Sequence, residues 1–510
     1  MRELFKNHKT LVIWTLLIVS VLYGGFLRLY YLGGQSYWMD EGYTINAVLA
    51  IQEHSKTLLD SGKYYSCPTY CYPTAWIIDL FENDATGYRF LSAVFGILFI
   101  PILFFIVRRF FSSPVALISS LFIAFSYWHI AWSRQARWYT MFTLFFWCAL
   151  YFFWQSLYGK AKQRRSLYIG ATILFTLLAI MTHGLGYLLP FIFLGWLGID
   201  QLFRKRKHDW KKLATIGIAA PVGLILVDLF LGERFIVQLL GKVELHFMLP
   251  YHLSFYLRSY WLFVPFLVLG LVFARKHRRE QLFLGFVGLA YLIPLSFLTD
   301  IVHYRYLFHV TPILFIFAAL GLVSAYQWIS SPQARFALVM VFAGLFLSFG
   351  GGVIAPQTHY FLESDNPETL PGVLKDQPYF AYTPQPDWNQ AYEFIRNERT
   401  PSDVIISTMP QFNKIFLGEP GYWLAIPYLG ISSKPSDTED DREYYVGAKV
   451  VDDLEELSLL TKTTHGYIIF DYMAVDGRIP EETLTYIKNN FSLVDHIETN
   501  LYSQVWVYRF

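Results

Sequence analysis

The chain has 510 residues, of which 55% are hydrophobic and 19% aromatic, and its mean hydropathy is +0.35. That excess over an ordinary soluble domain asks for an apolar solvent around much of the chain, and a net charge of +2 gives no basis for nucleic acid as a partner. Charge is unevenly divided: residues 356–510 carry 24 of the 39 acidic side chains but 11 of the 41 basic ones, so a membrane part and a polar tail share one chain.

A helix needs roughly 20 apolar residues to cross hydrocarbon. Stretches of that kind predict about eleven transmembrane helices, at 10–31, 91–107, 113–132, 138–158, 166–182, 186–203, 213–231, 259–274, 281–299, 306–328 and 336–354. The first run lacks a small-residue cleavage site and reads as a span, not a removed signal. With the N-terminus cytoplasmic, alternate connections hold Arg2/Lys6/Lys9, Arg108/Arg109, Lys160/Lys162/Arg164/Arg165, the cluster at 204–212, Arg275/Lys276/Arg278/Arg279 and Arg335. Every basic cluster then falls on one side, as the positive-inside bias requires, and an odd number of spans places the tail outside.

The outer connections at 33–90 and 232–258 are aromatic-rich and predict interfacial helices. Residues 356–385 read as a proline-containing linker. Beyond it, helical spacing at 388–396 and 484–489, with strand patterns at 403–407, 466–470 and 505–508, predicts a small α/β domain. The expected organisation is a membrane domain at 1–355, a linker at 356–385 and a soluble domain at 386–510.

Ionisable residues on the outer side are the candidates for chemistry. Asp40 and Glu41 stand among aromatic residues just after the first span. A desolvated carboxylate is a better proton acceptor, as a general base must be; the same pair also reads as a solvated cap of the following helix. Arg28, Arg89, Arg134, Arg137, Arg258 and Arg305 lie on the same side. Snorkelling to headgroups accounts for any one of them, but six against the inside bias point to an anionic ligand, which guanidinium forks grip through two oxygens.

His183 and His303 read either as substrate or metal-water contacts or as structural groups, since no ligand cluster accompanies them. Asp228 is costly inside an apolar span unless paired. Cys67 and Cys71, close together around Pro68, form either a disulfide on an oxidising side or two free thiols. The Gly350-Gly-Gly352 run lacks the lysine and context of a phosphate loop.

Five segments then carry a resemblance: Tyr37-Trp-Met-Asp-Glu-Gly-Tyr43, Tyr88-Arg-Phe-Leu-Ser-Ala-Val-Phe-Gly96, Ser133-Arg-Gln-Ala-Arg-Trp-Tyr139, Thr182-His183 and Tyr304-Arg-Tyr306. In order and spacing they resemble the glycosyltransferase family 39-like group of the GT-C superfamily, related to protein O-mannosyltransferases and aminoarabinose transferases. The tail entry, Asp387-Trp388 and Pro401-Ser-Asp-Val404, is similar to the outer domain of bacterial members. Two departures stand out: Gln135 where members often have glutamate, and Cys71-Tyr72-Pro73 where they often have His-Pro-Pro.

The resemblance implies a multi-pass enzyme of the cytoplasmic membrane that moves a monosaccharide from a polyprenyl-phosphate donor to a protein, lipid or glycan acceptor. Asp40 would be the base and Glu41 would position donor or acceptor. Arg137, Arg89, Arg305 and Arg134 would meet the donor phosphate, while Tyr139, His183 and Tyr306 would contact substrate. No metal ligand is assigned, with a divalent metal left open as cofactor. The competing functions are a lipid-linked sugar flippase or transporter and an oligosaccharide ligase.

Overall fold

The computed structural model describes residues 2–203, 245–356, 386–425 and 442–510, apart from 58, 60–64, 66, 82–83, 246, 274, 299–303, 350, 444, 473, 476–478 and 499–503. The expected span at 213–231, the basic cluster at 204–212, Asp228, His303, Gly350 and nearly all of the linker lie outside the described residues.

In chain order the helices of the first part are α1 (Arg2–Leu29), α2 (Met39–His54), α3 (Pro68–Ile77), α4 (Ala85–Phe110), α5 (Ser113–Phe125), α6 (Tyr127–Ser133), α7 (Tyr139–Tyr158), α8 (Arg165–Thr182) and α9 (Leu188–Phe203). There follow α10 (Leu249–Ser259), α11 (Phe263–Phe273), α12 (Arg278–Phe297), α13 (Thr311–Trp328) and α14 (Pro332–Phe349). The tail contributes α15 (Trp388–Glu398), β1 (Val404–Ser407), α16 (Pro410–Leu417), β2 (Tyr422–Leu424), β3 (Lys449–Val451), α17 (Leu454–Thr463), β4 (Gly466–Asp471), α18 (Glu481–Asn490), β5 (Ser492–Ile497) and β6 (Val505–Arg509).

These elements sort into two units. The first comprises Met1–Tyr30, Ser92–Arg134 and Trp138–Gln357; the second comprises Tyr31–Leu91, Gln135–Arg137 and Thr358–Phe510. The connection after the first span thus groups with the tail and not with the spans that flank it in sequence.

α4, α7, α8, α12, α13, α14 and the Thr10–Leu29 part of α1 are long and apolar enough to cross a membrane, α8 and α13 together with the 3-10 turns leading into them. Each falls on an expected span. Three other expected spans are shorter or broken: α9 has 16 residues, α11 has 11 and meets α10 at a bend of 104°, and 113–132 divides at Ser126.

The break at Ser126 has a local cause. Ser126 adopts an extended backbone and caps α6, its hydroxyl accepting from the His129 N–H. The end of α5 is left with carbonyls that membrane interiors do not forgive. Arg28 supplies donors to those of Ile123 and Ala124 at 2.9 and 3.0 Å, and the Val353 N–H donates to that of Phe125 at 2.8 Å. Elsewhere in this unit, α11 and α13 approach so closely that a Cβ on Gly270 would lie 2.3 Å from the Phe317 carbonyl oxygen, and one on Gly321 would lie 1.8 Å from that of Phe266. Small residues are what let apolar helices meet backbone to backbone.

In the second unit, six strands form one sheet in the order β3-β2-β1-β4-β6-β5. Strands β3, β2, β1 and β4 run parallel, and β6 and β5 complete the sheet in antiparallel pairing. β4 is buried throughout, as a strand paired on both edges and covered on both faces must be. Ile406, Leu424, Val451 and Ile468 pack with Leu457 of α17 and with Leu484 and Ile487 of α18. Within the same unit lie α2 and α3, in the stretch where interfacial helices are expected.

Candidate active site

Asp40, Glu41, Arg89 and Arg137 all belong to the second unit, which brings them together. α2 starts directly after Trp38, so Asp40 and Glu41 occupy its first turn, where unpaired backbone N–H groups and the helix dipole favour acidic side chains. Glu41, third in the helix, reaches back to accept from the Trp38 N–H at 2.9 Å, the acidic half of a capping box.

That carboxylate is also the centre of a larger network. Its Oε1 accepts from Arg89 Nε at 2.8 Å and the Ala136 N–H at 2.6 Å; its Oε2 accepts from Arg89 Nη2 at 2.8 Å as well as from Trp38. Arg89 donates further to the carbonyls of Leu32, Gln35 and Ser36 at 3.1, 2.8 and 3.1 Å. A guanidinium has five N–H groups, and five bonds are made. Both side chains are sealed from solvent. Arg89, expected on the donor phosphate, and Glu41, expected on donor or acceptor, are therefore committed to tying the 32–36 segment, α2 and the 135–137 segment together.

Asp40 and Arg137 are arranged differently. Arg137 Nη2 lies 3.6 Å from Asp40 Oδ2, while Nη1 donates to the Asp40 carbonyl at 2.9 Å, Thr44 Oγ1 at 3.0 Å and the Tyr65 hydroxyl at 2.7 Å. Their side chains keep 11% and 8% of their surface open, against none and 1% for Glu41 and Arg89. Of the two ion pairs, this is the less completely buried. Burial pushes the Tyr65 phenol above its ordinary pKa, with Arg137 pulling the other way. Thr44 is one helical turn beyond Asp40, a spacing visible in sequence; nothing in sequence marks Tyr65.

The other expected residues belong to the first unit. Tyr139, His183 and Tyr306 gather there, with His183 5.6 Å, centroid to centroid, from each tyrosine ring. His183 Nδ1 accepts from the Leu185 N–H at 3.0 Å, and the Arg305 guanidinium lies 5.5 Å from the Tyr306 ring centre. Arg134, expected on the donor phosphate, directs Nη1 to the carbonyls of Leu27, Arg28 and Tyr30 at the end of α1, capping that helix. Arg258 donates to the Tyr304 hydroxyl at 3.4 Å.

Residues 66–226 match the family model described as dolichyl-phosphate-mannose-protein mannosyltransferase. The structure resembles ArnT from Cupriavidus metallidurans in the apo state over 99% of this chain and 98% of that one, with a TM-score of 0.59 at 15% identity. Residues 66–226, about a third of the chain, are thus similar to that family, and the fold of the chain is similar to that of ArnT. The same ArnT bound to undecaprenyl phosphate superposes on this chain with a TM-score of 0.61 at 14% identity, covering 98% of each. The archaeal oligosaccharyltransferase AglB from Archaeoglobus fulgidus, in complex with an inhibitory peptide and a dolichol-phosphate, matches over 92% of this chain and 70% of its own, with a TM-score of 0.56 at 14% identity. No curated protein matches the sequence.

Cys67 and Cys71 form a disulfide at the start of α3, with Cα atoms 5.4 Å apart, and Cys148 is a half-buried free thiol. Among the described residues, no three His, Cys, Asp or Glu side chains converge on a point where a metal ion would sit.

Proposed function

We propose that this protein transfers a monosaccharide from a polyprenyl-phosphate donor to a hydroxyl or amine acceptor at the outer membrane face, with Asp40 as general base. The observation that carries the reading is the Asp40–Arg137 pair, which keeps an open edge beside the sealed Glu41–Arg89 pair. The undecaprenyl phosphate held by ArnT and the dolichol-phosphate held by AglB support a lipid phosphate as the leaving group. The sidedness of the basic clusters and the Cys67–Cys71 disulfide support an outer location, with the N-terminus cytoplasmic and the tail extracytoplasmic.

In this reaction the acceptor oxygen or nitrogen bonds to the anomeric carbon as the bond from that carbon to the phosphate oxygen breaks. The acceptor proton passes to Asp40, and the departing polyprenyl phosphate takes the bonding electron pair. Phosphate leaves without strong protonation, so a base with cationic stabilisation suffices. Arg137, supported by Arg305, neutralises the leaving phosphate, and Tyr139, His183 and Tyr306 contact donor or acceptor. A single displacement inverts the anomeric centre.

The test compares wild type with Asp40→Asn for sugar release from a panel of polyprenyl-phosphate monosaccharides, with membrane extract as acceptor source. Turnover by wild type and its loss in a folded, lipid-binding Asp40→Asn supports the reading, while equal turnover removes Asp40 as base. Lipid movement across vesicles without turnover replaces the transferase with a flippase, and release of whole glycans from a lipid diphosphate replaces it with an oligosaccharide ligase.

A further inference from the structure

The helix that carries Asp40 is gripped by the tail at three successive places. A Cβ on Gly42, two residues beyond Asp40, would lie 2.6 Å from Gln411 Cγ and 3.1 Å from Phe412 Cε1, so α16 rests on the bare backbone of α2. Tyr43 stacks on Tyr445 with ring centres 4.0 Å apart. Asn46, one turn below Gly42, donates through Nδ2 to the Gly42 carbonyl at 2.8 Å and to the Gln411 carbonyl at 3.1 Å, bridging the two helices. Ahead of the helix, Tyr37 lies against Phe416 at 5.8 Å and Ser36 Oγ accepts from the Asn389 N–H at 3.3 Å.

We infer that the tail is a positioning element for the base: α16 and Tyr445 fix the rotation and depth of α2 and thereby the place of Asp40 relative to substrate. The inference rests on Asp40 being the base. Its physical ground is the two-sided hold on one short helix. Glu41, through Arg89 and the Ala136 N–H, fixes one side of the first turn, and Gly42 with Asn46 fixes another. Removing the second hold leaves α2 tied through Glu41 and through the Arg137 bonds to the Asp40 carbonyl and Thr44, but without the contact that sets its depth against α16. Gly42, Asn46, Gln411 and Tyr445 are positioning residues, not catalytic ones, because they act on Asp40 through the helix.

The experiment measures kcat and KM for a polyprenyl-phosphate sugar across pH for Gly42→Ala, Asn46→Ala and the double variant Gly42→Ala with Gln411→Ala. Gly42→Ala inserts a methyl that α16 has no room for; Asn46→Ala removes the bridge without a clash and covers the case in which the first variant fails to fold. Misplacing a reacting group by about 1 Å costs up to about 100-fold in rate. The expected result is therefore a fall of about 10- to 100-fold in kcat with donor KM little changed, a displaced acid limb of the pH profile, and partial recovery in the double variant. Wild-type kcat in folded Gly42→Ala and Asn46→Ala would overturn the inference and leave the tail as a cover. Full turnover by Asp40→Asn would instead remove the base assignment on which it rests, so the two failures are told apart.

Discussion

Glu41 and Arg89 form a bidentate ion pair, 2.8 Å at each contact, that has no outlet to solvent and no unused hydrogen-bonding group. It sits next in sequence to Asp40, so neighbouring carboxylates differ: one is fully sealed in a brace, and the other keeps 11% of its side-chain surface exposed. Removing one partner of such a pair strands a buried charge at a cost of about 3–5 kcal/mol. Glu41→Ala and Arg89→Ala should each lower the thermal unfolding midpoint of the detergent-solubilised protein markedly. Arg89→Lys should rescue little, because an ammonium cannot reproduce the fork. Midpoints near wild type would contradict the brace.

Arg137→Lys preserves charge but loses the planar donors shared among the Asp40 carbonyl, Thr44 and Tyr65. If Arg137 also meets the leaving phosphate, kcat/KM for the lipid donor should fall on the order of 100-fold, with the unfolding midpoint little changed. Steady-state kinetics beside a melting curve separate the two effects.

Glu443 supplies a pH-dependent term in the tail. Its carboxylate is 7% exposed and accepts from the N–H groups of Tyr445 and Val446 at 2.9 and 2.6 Å. Burial raises its pKa, against the opposing effect of those backbone bonds. The folded chain then holds this proton more tightly than the unfolded chain does. Stability from this group is full below the ordinary glutamate value of about 4.3 and is lost as pH rises through the raised folded value. Glu443→Gln should therefore raise the unfolding midpoint at pH 7 and leave it nearly unchanged at pH 4. Equal shifts at both pH values would assign the effect to something other than ionisation.

Thiol counting checks the disulfide. Alkylation of the denatured, unreduced chain should modify Cys148 alone, and reduction beforehand should add Cys67 and Cys71. Intact mass reads the difference directly. Three modified thiols without reductant would dissolve the bridge.

Much of the architecture is legible from hydropathy, because a span needs only length and apolarity. What hydropathy does not register is a helix that ends inside an apolar run, since Ser126 and the bend before Phe263 change the backbone and leave the side-chain pattern alone. In the tail, the strands at β1, β4 and β6 show as apolar runs, and α15 and α18 as helical spacing. The three-residue strands β2 and β3 and the largely exposed β5 offer too little pattern to read. The arginines teach a sharper point. Arg28, Arg89, Arg134 and Arg137 look alike in sequence, yet Arg28 and Arg134 serve helix ends, Arg89 serves Glu41, and Arg137 faces the open carboxylate. Partners that lie about 50 to 100 residues away decide which role each takes.

The bond from Asn46 to Gln411 spans 365 residues of sequence. During synthesis the Asp40 helix therefore emerges long before the surface that holds it, a wait of roughly 20 to 70 s at ordinary elongation rates. Every candidate membrane helix after the first is made in that interval while the hold on the Asp40 helix stays unfinished. The surface around Gln411 thus completes the hold on a helix made 365 residues earlier, so a ribosome that stops before it releases a chain whose Asp40 helix lacks one of its supports.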